Sequence, residues 1–182
     1  MFTHFANHFH ELSGMTWGII GLGAIGRRVA DLAKAFGCHV IYYSTSGNHT
    51  EDGYERVDFD TLLKTSDIVS VHAPLTEQTE QLMNAAAFSK MKNSAIFINV
   101  GRGPIVVEAD LADALEQGEI AAAGLDVLSA EPMREDNPLR CIKDSEKLVI
   151  TPHIAWAAVE TRKRLMDIIL QQVKELFEVK QK

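Results

Sequence analysis

Short apolar runs alternate along this chain with stretches of helical periodicity. Thr16–Gly21 (TWGIIG), His39–Tyr43, Asp67–Val71, Ala95–Val100, Ala121–Val127 and Leu148–Thr151 read as six strands. Their apolar residues are consecutive rather than alternate, the mark of strands covered on both faces. Between them the spacing predicts helices over Ala24–Phe36, Phe59–Lys64, Ala85–Met91 and Glu108–Glu116, the last ended by Gln117-Gly118. The first should present Ile25, Val29, Leu32 and Ala33 on one face. A final helix runs from about Ala158 to Val179, with Leu165, Met166, Ile169, Val173, Leu176 and Phe177 in a stripe expected to be core or interface. Ala158 stands where Ser or Thr would cap it, a loss of roughly 1 kcal/mol. Strands separated by helices predict an α/β fold, a doubly wound parallel sheet of Rossmann type. Such sheets bind ligands at the carboxyl ends of their strands.

Composition adds exclusions. The 182 residues carry a formal net charge of −7, which argues against nucleic-acid or membrane-surface partners. No apolar run approaches the ~20 residues of a membrane span, and no basic start precedes an apolar run as in a secretory signal. Two cysteines, Cys38 and Cys141, are too few for a disulfide scaffold. Reduced structural thiols in the cytoplasm are the expectation. Near the N-terminus, Phe2, Phe5 and Phe9 interleave with His4, His8 and His10. His4 and His8 would share a helix face, as metal ligands sometimes do, but no carboxylate or thiolate completes a set. An aromatic linker over residues 1–13 is expected there, and no metal.

Gly21-Leu22-Gly23-Ala24-Ile25-Gly26 follows a strand and opens a helix. Its three glycines permit a tight turn, the approach of a pyrophosphate, and close helix–strand packing. The helix N-terminus then faces the phosphates with unpaired N–H groups. This predicts a dinucleotide-binding domain over residues 14–157, with 158–182 as an added helix. The fingerprint also calls for Asp or Glu at the end of the second strand, to hold the ribose hydroxyls. Here Ser44, Thr45, Ser46 and Gly47 stand there, and Glu51 is the first acid. No arginine adjoins the hydroxyls, Arg56 being the nearest downstream. NAD and NADP both remain open, the balance tipping slightly to NAD.

Three more segments fall at strand ends: Asn99-Val100-Gly101-Arg102-Gly103, Gly124-Leu125-Asp126-Val127 and Thr151-Pro152-His153, with Glu131-Pro132 soon after Asp126. An Arg, a Glu and a His can therefore converge on one cleft. Taken in order, GLGAIG, SDIVSVHAPLTEQT, NVGRG, AGLDV, Glu-Pro and TPHIAW make the chain resemble the D-isomer-specific 2-hydroxyacid dehydrogenases from about Glu11 to the last helix.

The resemblance implies hydride transfer between a nicotinamide cofactor and a small D-2-hydroxy or 2-keto acid of hydroxypyruvate, glyoxylate or lactate type. It implies that Arg102, Glu131 and His153 act together, His153 exchanging the proton, Glu131 orienting the imidazole and stabilising its charged form, and Arg102 holding the substrate carboxylate. It further implies a cofactor groove lined by Gly21, Gly23, Ala24, Ile25, Gly26, Ser44 and Thr45. His72, Ala73, Pro74, Thr79, Val100, Gly101 and Arg102 would continue it, with Asp126 on the nicotinamide carboxamide and His153 and Trp156 beside it. Trp156 disfavours a roomy substrate pocket. Family members carry a second domain, mostly upstream, and a homodimer is expected in the full-length context. This chain begins near the expected inter-domain linker. The alternative expectation is an NAD(P)-binding module, truncated or repurposed, without efficient turnover.

Overall fold

The computed structural model describes residues 9–47, 53–144 and 146–179. His4, His8, Phe2, Phe5 and Glu51 lie outside the described residues. The elements follow in chain order as β1 (Thr16–Ile20), α1 (Ala24–Ala35), β2 (His39–Tyr43), β3 (Glu55–Arg56), α2 (Phe59–Thr65), β4 (Ile68–Val71), α3 (Ala85–Phe88), β5 (Ile96–Asn99), α4 (Glu108–Gln117), β6 (Ala122–Leu125), β7 (Leu148–Ile150) and α5 (Val159–Val179). Short 3₁₀ turns at Gly103–Ile105 and Pro138–Cys141 complete the path.

The seven strands form one parallel sheet in the order β3-β2-β1-β4-β5-β6-β7. The chain starts in the middle at β1, winds outward to β3, then returns to the other side through β4. Because every strand is parallel, residues 21, 44, 72, 100, 126 and 151 all leave the sheet on its carboxyl edge. The expected doubly wound fold is the observed one.

Burial on both faces explains the consecutive apolar runs. Ile20, Val69, Phe97 and Ala123 point into one core with Leu62, Phe88, Leu111 and Leu115, where Phe88 and Phe97 meet edge to face at 5.4 Å. Ile19, Val40 and Tyr42 point the other way, into a second core under α1. Leu12 packs on this second core, and its carbonyl accepts from the buried Cys38 thiol at 3.2 Å. Asp67 fastens the start of β4, accepting from the Thr16 N–H and from Lys92 Nζ, each at 2.8 Å.

Three expectations need correction. The buried face of α1 is Gly26, Ala30 and Ala33, whereas Ile25 and Leu32 are 68% and 62% exposed. A Cβ at Gly26 would lie 2.2 Å from the Gly21 carbonyl oxygen. The helix therefore sits so low on the sheet that only small side chains fit beneath it. Second, α3 ends at Phe88 rather than Met91, the Met91 N–H bonding to Phe88 in a tighter turn. Third, of the core or interface expected for the α5 stripe, the core is not what is observed. Leu165, Met166, Ile169, Val173, Leu176 and Phe177 are all exposed, because no described element packs on them. No helix among the described residues is long and apolar enough to cross a membrane.

Candidate functional site

The turn after β1 begins the groove. Gly21 has φ +91°, and a Cβ there would fall 2.9 Å from the Ala73 backbone. Both the left-handed conformation and the close approach require glycine. Gly23 differs. Its φ of −80° suits any residue, and a Cβ would meet no protein atom within 4 Å. Nothing in the protein itself demands glycine at this position. A Cβ would stand in the cradle at the start of α1, where the first helical N–H groups have no intrahelical acceptor. The glycine pattern thus fits a phosphate-bearing dinucleotide.

A cavity of about 270 Å³ lies over this turn, walled by Gly21, Gly23, Arg27, Ser44, Thr45 and Ser46 among others. His72 forms part of its floor. The Trp17 indole N–H donates to Ser70 Oγ at 2.9 Å, and Ser70 Oγ lies 3.1 Å from His72 Nε2. Burial pushes the His72 imidazole down to about 4, so it is neutral at physiological pH.

The other end of the edge carries Asp126, Glu131 and His153. Asp126, at the end of β6, accepts from the Thr151 hydroxyl, from the Ile154 N–H at 2.9 Å and from the Ala155 N–H at 2.8 Å. It clamps the loop after β7 in a shape that puts His153 at φ +53°, a region histidine enters more readily than most residues. Burial opposes ionisation of Asp126, but the hydrogen bonds from Thr151, Ala155 and Ile154 outweigh it and hold the carboxyl below its ordinary range.

Glu131 meets His153 across this loop, Oε2 lying 2.7 Å from Nδ1. Its other oxygen accepts the Leu128 N–H at 2.9 Å. That backbone bond first, and the histidine second, lower the Glu131 carboxyl. With Nδ1–H given to Glu131, Nε2 is the ring nitrogen left to exchange a proton with a substrate. Asp126, Leu128, Glu131, Met133, Thr151 and His153 border a mostly apolar cavity of about 580 Å³.

Glu108, the first residue of α4, braces the loop that holds Glu131. Its carboxylate accepts from the Ser129 N–H and hydroxyl, each at 2.7 Å, and from Asn137 Nδ2 at 2.8 Å. The Arg102 turn abuts the same loop. A Cβ on Gly103 would lie 1.9 Å from the carbonyl carbon and oxygen of Leu128. The Asn99 side chain shapes this turn from within, accepting from the Gly101 N–H and donating to the Arg102 carbonyl, both at 3.0 Å.

Of the three proposed catalytic residues, Glu131 and His153 are in contact. Arg102 is exposed and folds an Nη1–H onto the Gly101 carbonyl at 2.8 Å, outside the lining of the larger cavity. Gly21, Gly23, Ser44, Thr45, His72 and Pro74 share the smaller cavity, and Ala73 packs between Gly21 and Gly101. Ala24 and Ile25 are exposed on α1. Val100 is half-buried at the end of β5. Thr79 is buried, its hydroxyl donating to the Pro74 carbonyl and receiving the Thr76 N–H. Trp156 is half exposed and lines neither cavity. Sequence reading missed Arg27, Ser70, Glu108 and Leu128. Glu108 carries a signal only as an acid in a helix's first turn, and its loop partners are more than twenty residues away.

The depressed groups predict an acid-sensitive fold. His72 is pushed down by burial, so its contribution is complete above the unfolded value of 6.5 and is lost as pH falls toward about 4. At Asp67 burial is outweighed by Lys92 and the Thr16 N–H, leaving it low like Asp126 and Glu131. These carboxylates add a second loss below their unfolded values of 3.8 and 4.5. The melting temperature is expected to fall in both windows. His72→Gln should flatten the upper one only, and a parent curve already flat from pH 6.5 to 4 would contradict the burial of a neutral His72.

A twisted parallel sheet with a glycine turn, a phosphate cradle and a polar carboxyl edge defines a Rossmann-type dinucleotide-binding domain. The chain belongs to the D-isomer-specific 2-hydroxyacid dehydrogenase family, whose NAD-binding domain matches residues 2–155. It is 44% identical to the hydroxypyruvate reductase of Blautia hydrogenotrophica over 169 residues, 92% of this chain and 52% of that protein. Among solved structures it resembles an acyclic imino acid reductase in complex with NADPH and D-Arg (TM-score 0.87, 32% identity, 98% of this chain and 56% of that one). It also resembles the Aquifex aeolicus D-lactate dehydrogenase complexed with NAD and lactic acid (TM-score 0.85, 30% identity, 96% and 58%). The chain spans about half the length of the curated relatives it matches.

Proposed function

We propose that the protein to which this chain belongs is an NAD(P)-dependent oxidoreductase acting on a small D-2-hydroxy acid or its 2-keto acid, of hydroxypyruvate, glyoxylate or lactate type. The observation that carries this reading is the Glu131–His153 pair, joined at 2.7 Å beside a cavity on the carboxyl edge of a dinucleotide fold. When bound, the nicotinamide supplies or takes up the hydride. The residues of this chain manage the proton and the charge. In reduction, His153 Nε2 gives its proton to the oxygen that becomes the hydroxyl, and Glu131 offsets the imidazolium through Nδ1. In oxidation the same nitrogen takes the proton back. Arg102 supplies a permanent cation at the end of β5, whose planar fork suits a carboxylate. Asp126 orients the His153 loop, and the family resemblance would place the nicotinamide carboxamide against it.

The length covered favours a second reading for the isolated chain, binding of NAD(P) without efficient turnover. Closure and water exclusion contribute much of the rate in such reactions. We further assign the protein to the cytoplasm, its described cysteines being free thiols. A homodimer is the expected assembly, with the exposed apolar side chains of α5 as available surface.

Titrating the chain with NADH and NADPH by fluorescence, and assaying the full-length protein with hydroxypyruvate, glyoxylate and pyruvate, tests both levels. Binding of a reduced dinucleotide and turnover of at least one acid are expected. Absence of any binding would sink the reading. Binding with no turnover by the full-length protein would leave only the module.

A further inference from the structure

The acid/base pair and the cation belong to different parts of the chain. Glu131 and His153 stand on the loops after β6 and β7, whereas Arg102 stands on the turn after β5. A 2-keto acid carries its carbonyl and its carboxylate on adjacent carbons, so the two parts have to keep a fixed spacing. Gly103 packs on Leu128 across this boundary, but packing alone carries little direction. Directional bonds across it come from Glu108.

Glu108 follows the Arg102 turn as the first residue of α4. Its two oxygens meet three donors, the Ser129 N–H at Oε1 and the Ser129 hydroxyl and Asn137 Nδ2 at Oε2. Asn137 is buried and has no freedom to turn its amide round. Its Oδ1 accepts the Leu139 N–H at 2.9 Å, and a backbone N–H only donates, so Nδ2 faces Glu108. The position therefore calls for an acceptor on both branches, which a carboxylate provides and an amide does not. From Ser129 the path continues to Leu128, whose N–H is given to Glu131, and so to the imidazole. Glu108 lines neither the groove over Gly21 nor the cavity beside His153. It reaches the reaction through this loop.

We propose that Glu108 is a positioning residue for hydride transfer, its doubly accepting carboxylate setting the spacing between Arg102 and the Glu131–His153 pair. The inference rests on the functional reading above and adds the group that keeps the two parts of that site in register. Without this carboxylate the Glu131 loop shifts against the Arg102 turn. A substrate is then held or protonated, but less readily both at once. A displacement of about 1 Å at such a site costs up to about 10²-fold in rate.

Reversing the polarity of the contact separates positioning from bulk stability. In full-length protein, Glu108→Gln sets an amide donor against the Asn137 donor. It should lower kcat for hydroxypyruvate or glyoxylate about tenfold or more and raise KM for the acid. The Kd for NADH, measured on this chain, should stay within about twofold, since the groove shares no partner with Glu108. Asn137→Asp sets two carboxylates against each other and should cost a similar factor. The double variant Glu108→Gln/Asn137→Asp again pairs a donor with an acceptor, while the new carboxylate still accepts the Leu139 N–H and the Ser129 hydroxyl turns to accept. It should recover most of kcat, far from the sum of the two losses. In the chain itself, amide exchange at Leu128 and Ser129 should quicken in each single variant and slow again in the double one. Melting curves give the folded fraction, and rates are compared per folded molecule. A folded Glu108→Gln with parental kcat, or a double variant that loses as much as both singles together, overturns the inference and leaves the dehydrogenase reading standing. Where a single variant does not fold, the double variant decides: folded and near the parental rate carries the proposal, and slow or unfolded overturns it. A parent protein that turns over no 2-keto acid overturns the functional reading and this inference with it.

Discussion

Full-length protein carrying His153→Ala is expected to lose about 10²–10⁴-fold in kcat for 2-keto acid reduction, with a much smaller change in KM for the dinucleotide. The size follows from the role. Without the imidazole, the developing alkoxide must be protonated by water, while the clamp on Asp126 and the glycine turn remain as they are. Glu131→Gln should cost less. Glutamine can still accept the Nδ1–H through its side-chain oxygen, but it no longer balances the imidazolium. Steady-state kinetics with hydroxypyruvate or glyoxylate reads both variants. Added imidazole should restore part of the His153→Ala rate. A variant turning over within twofold of the parent would remove His153 from the proton path, whatever its contact with Glu131.

Gly103→Ala should be the most damaging single change to the fold among the glycines of the site. Its Cβ would lie 1.9 Å from both the carbonyl carbon and oxygen of Leu128, and 2.4 Å from the Ser129 nitrogen. These are backbone atoms on a loop braced by Glu108, so no rotamer change relieves the overlap. Destabilisation of about 3 kcal/mol or more is expected, the upper range for overpacking. For a domain of this size that lowers the melting temperature by roughly 10 °C. Gly23→Ala is the matched control, since its Cβ meets no protein atom. It should melt near the parent temperature and lose dinucleotide affinity instead. If Gly103→Ala melts with the parent, the Arg102 turn and the Leu128 loop are not locked together.

Much of this was legible before the fold was known. The consecutive apolar runs gave the strands to within a residue or two, since burial on both faces leaves no polar positions to blur them. The glycine turn was readable because its demands are local. What escaped depends on long separations. The two-residue β3 has no pattern of its own and exists only because β2 offers it an edge. The true buried face of α1 is set by how closely Gly26 approaches Gly21, a distance that apolar counting ignores, and counting therefore favoured Ile25 and Leu32. Arg27 was passed over for the same kind of reason. Seventeen positions separate it from Ser44, and only the crossover from β1 to β2 makes them neighbours. Glu131 and His153, by contrast, were named from their motifs, and their contact is consistent with the roles the resemblance assigns them.

The Glu108 brace has a consequence for the energetics of the first step. Leu128, Ser129 and Asn137 are held by bonds internal to this unit, and Asp126 fixes the far wall in the same way. The imidazole and its carboxylate are thus aligned as soon as the sheet has folded, before any ligand arrives. Their alignment draws nothing from the binding energy of cofactor or substrate. That energy is left for orienting the acid over the ring nitrogen and for excluding water, so the reorganisation barrier at this pair is small by construction.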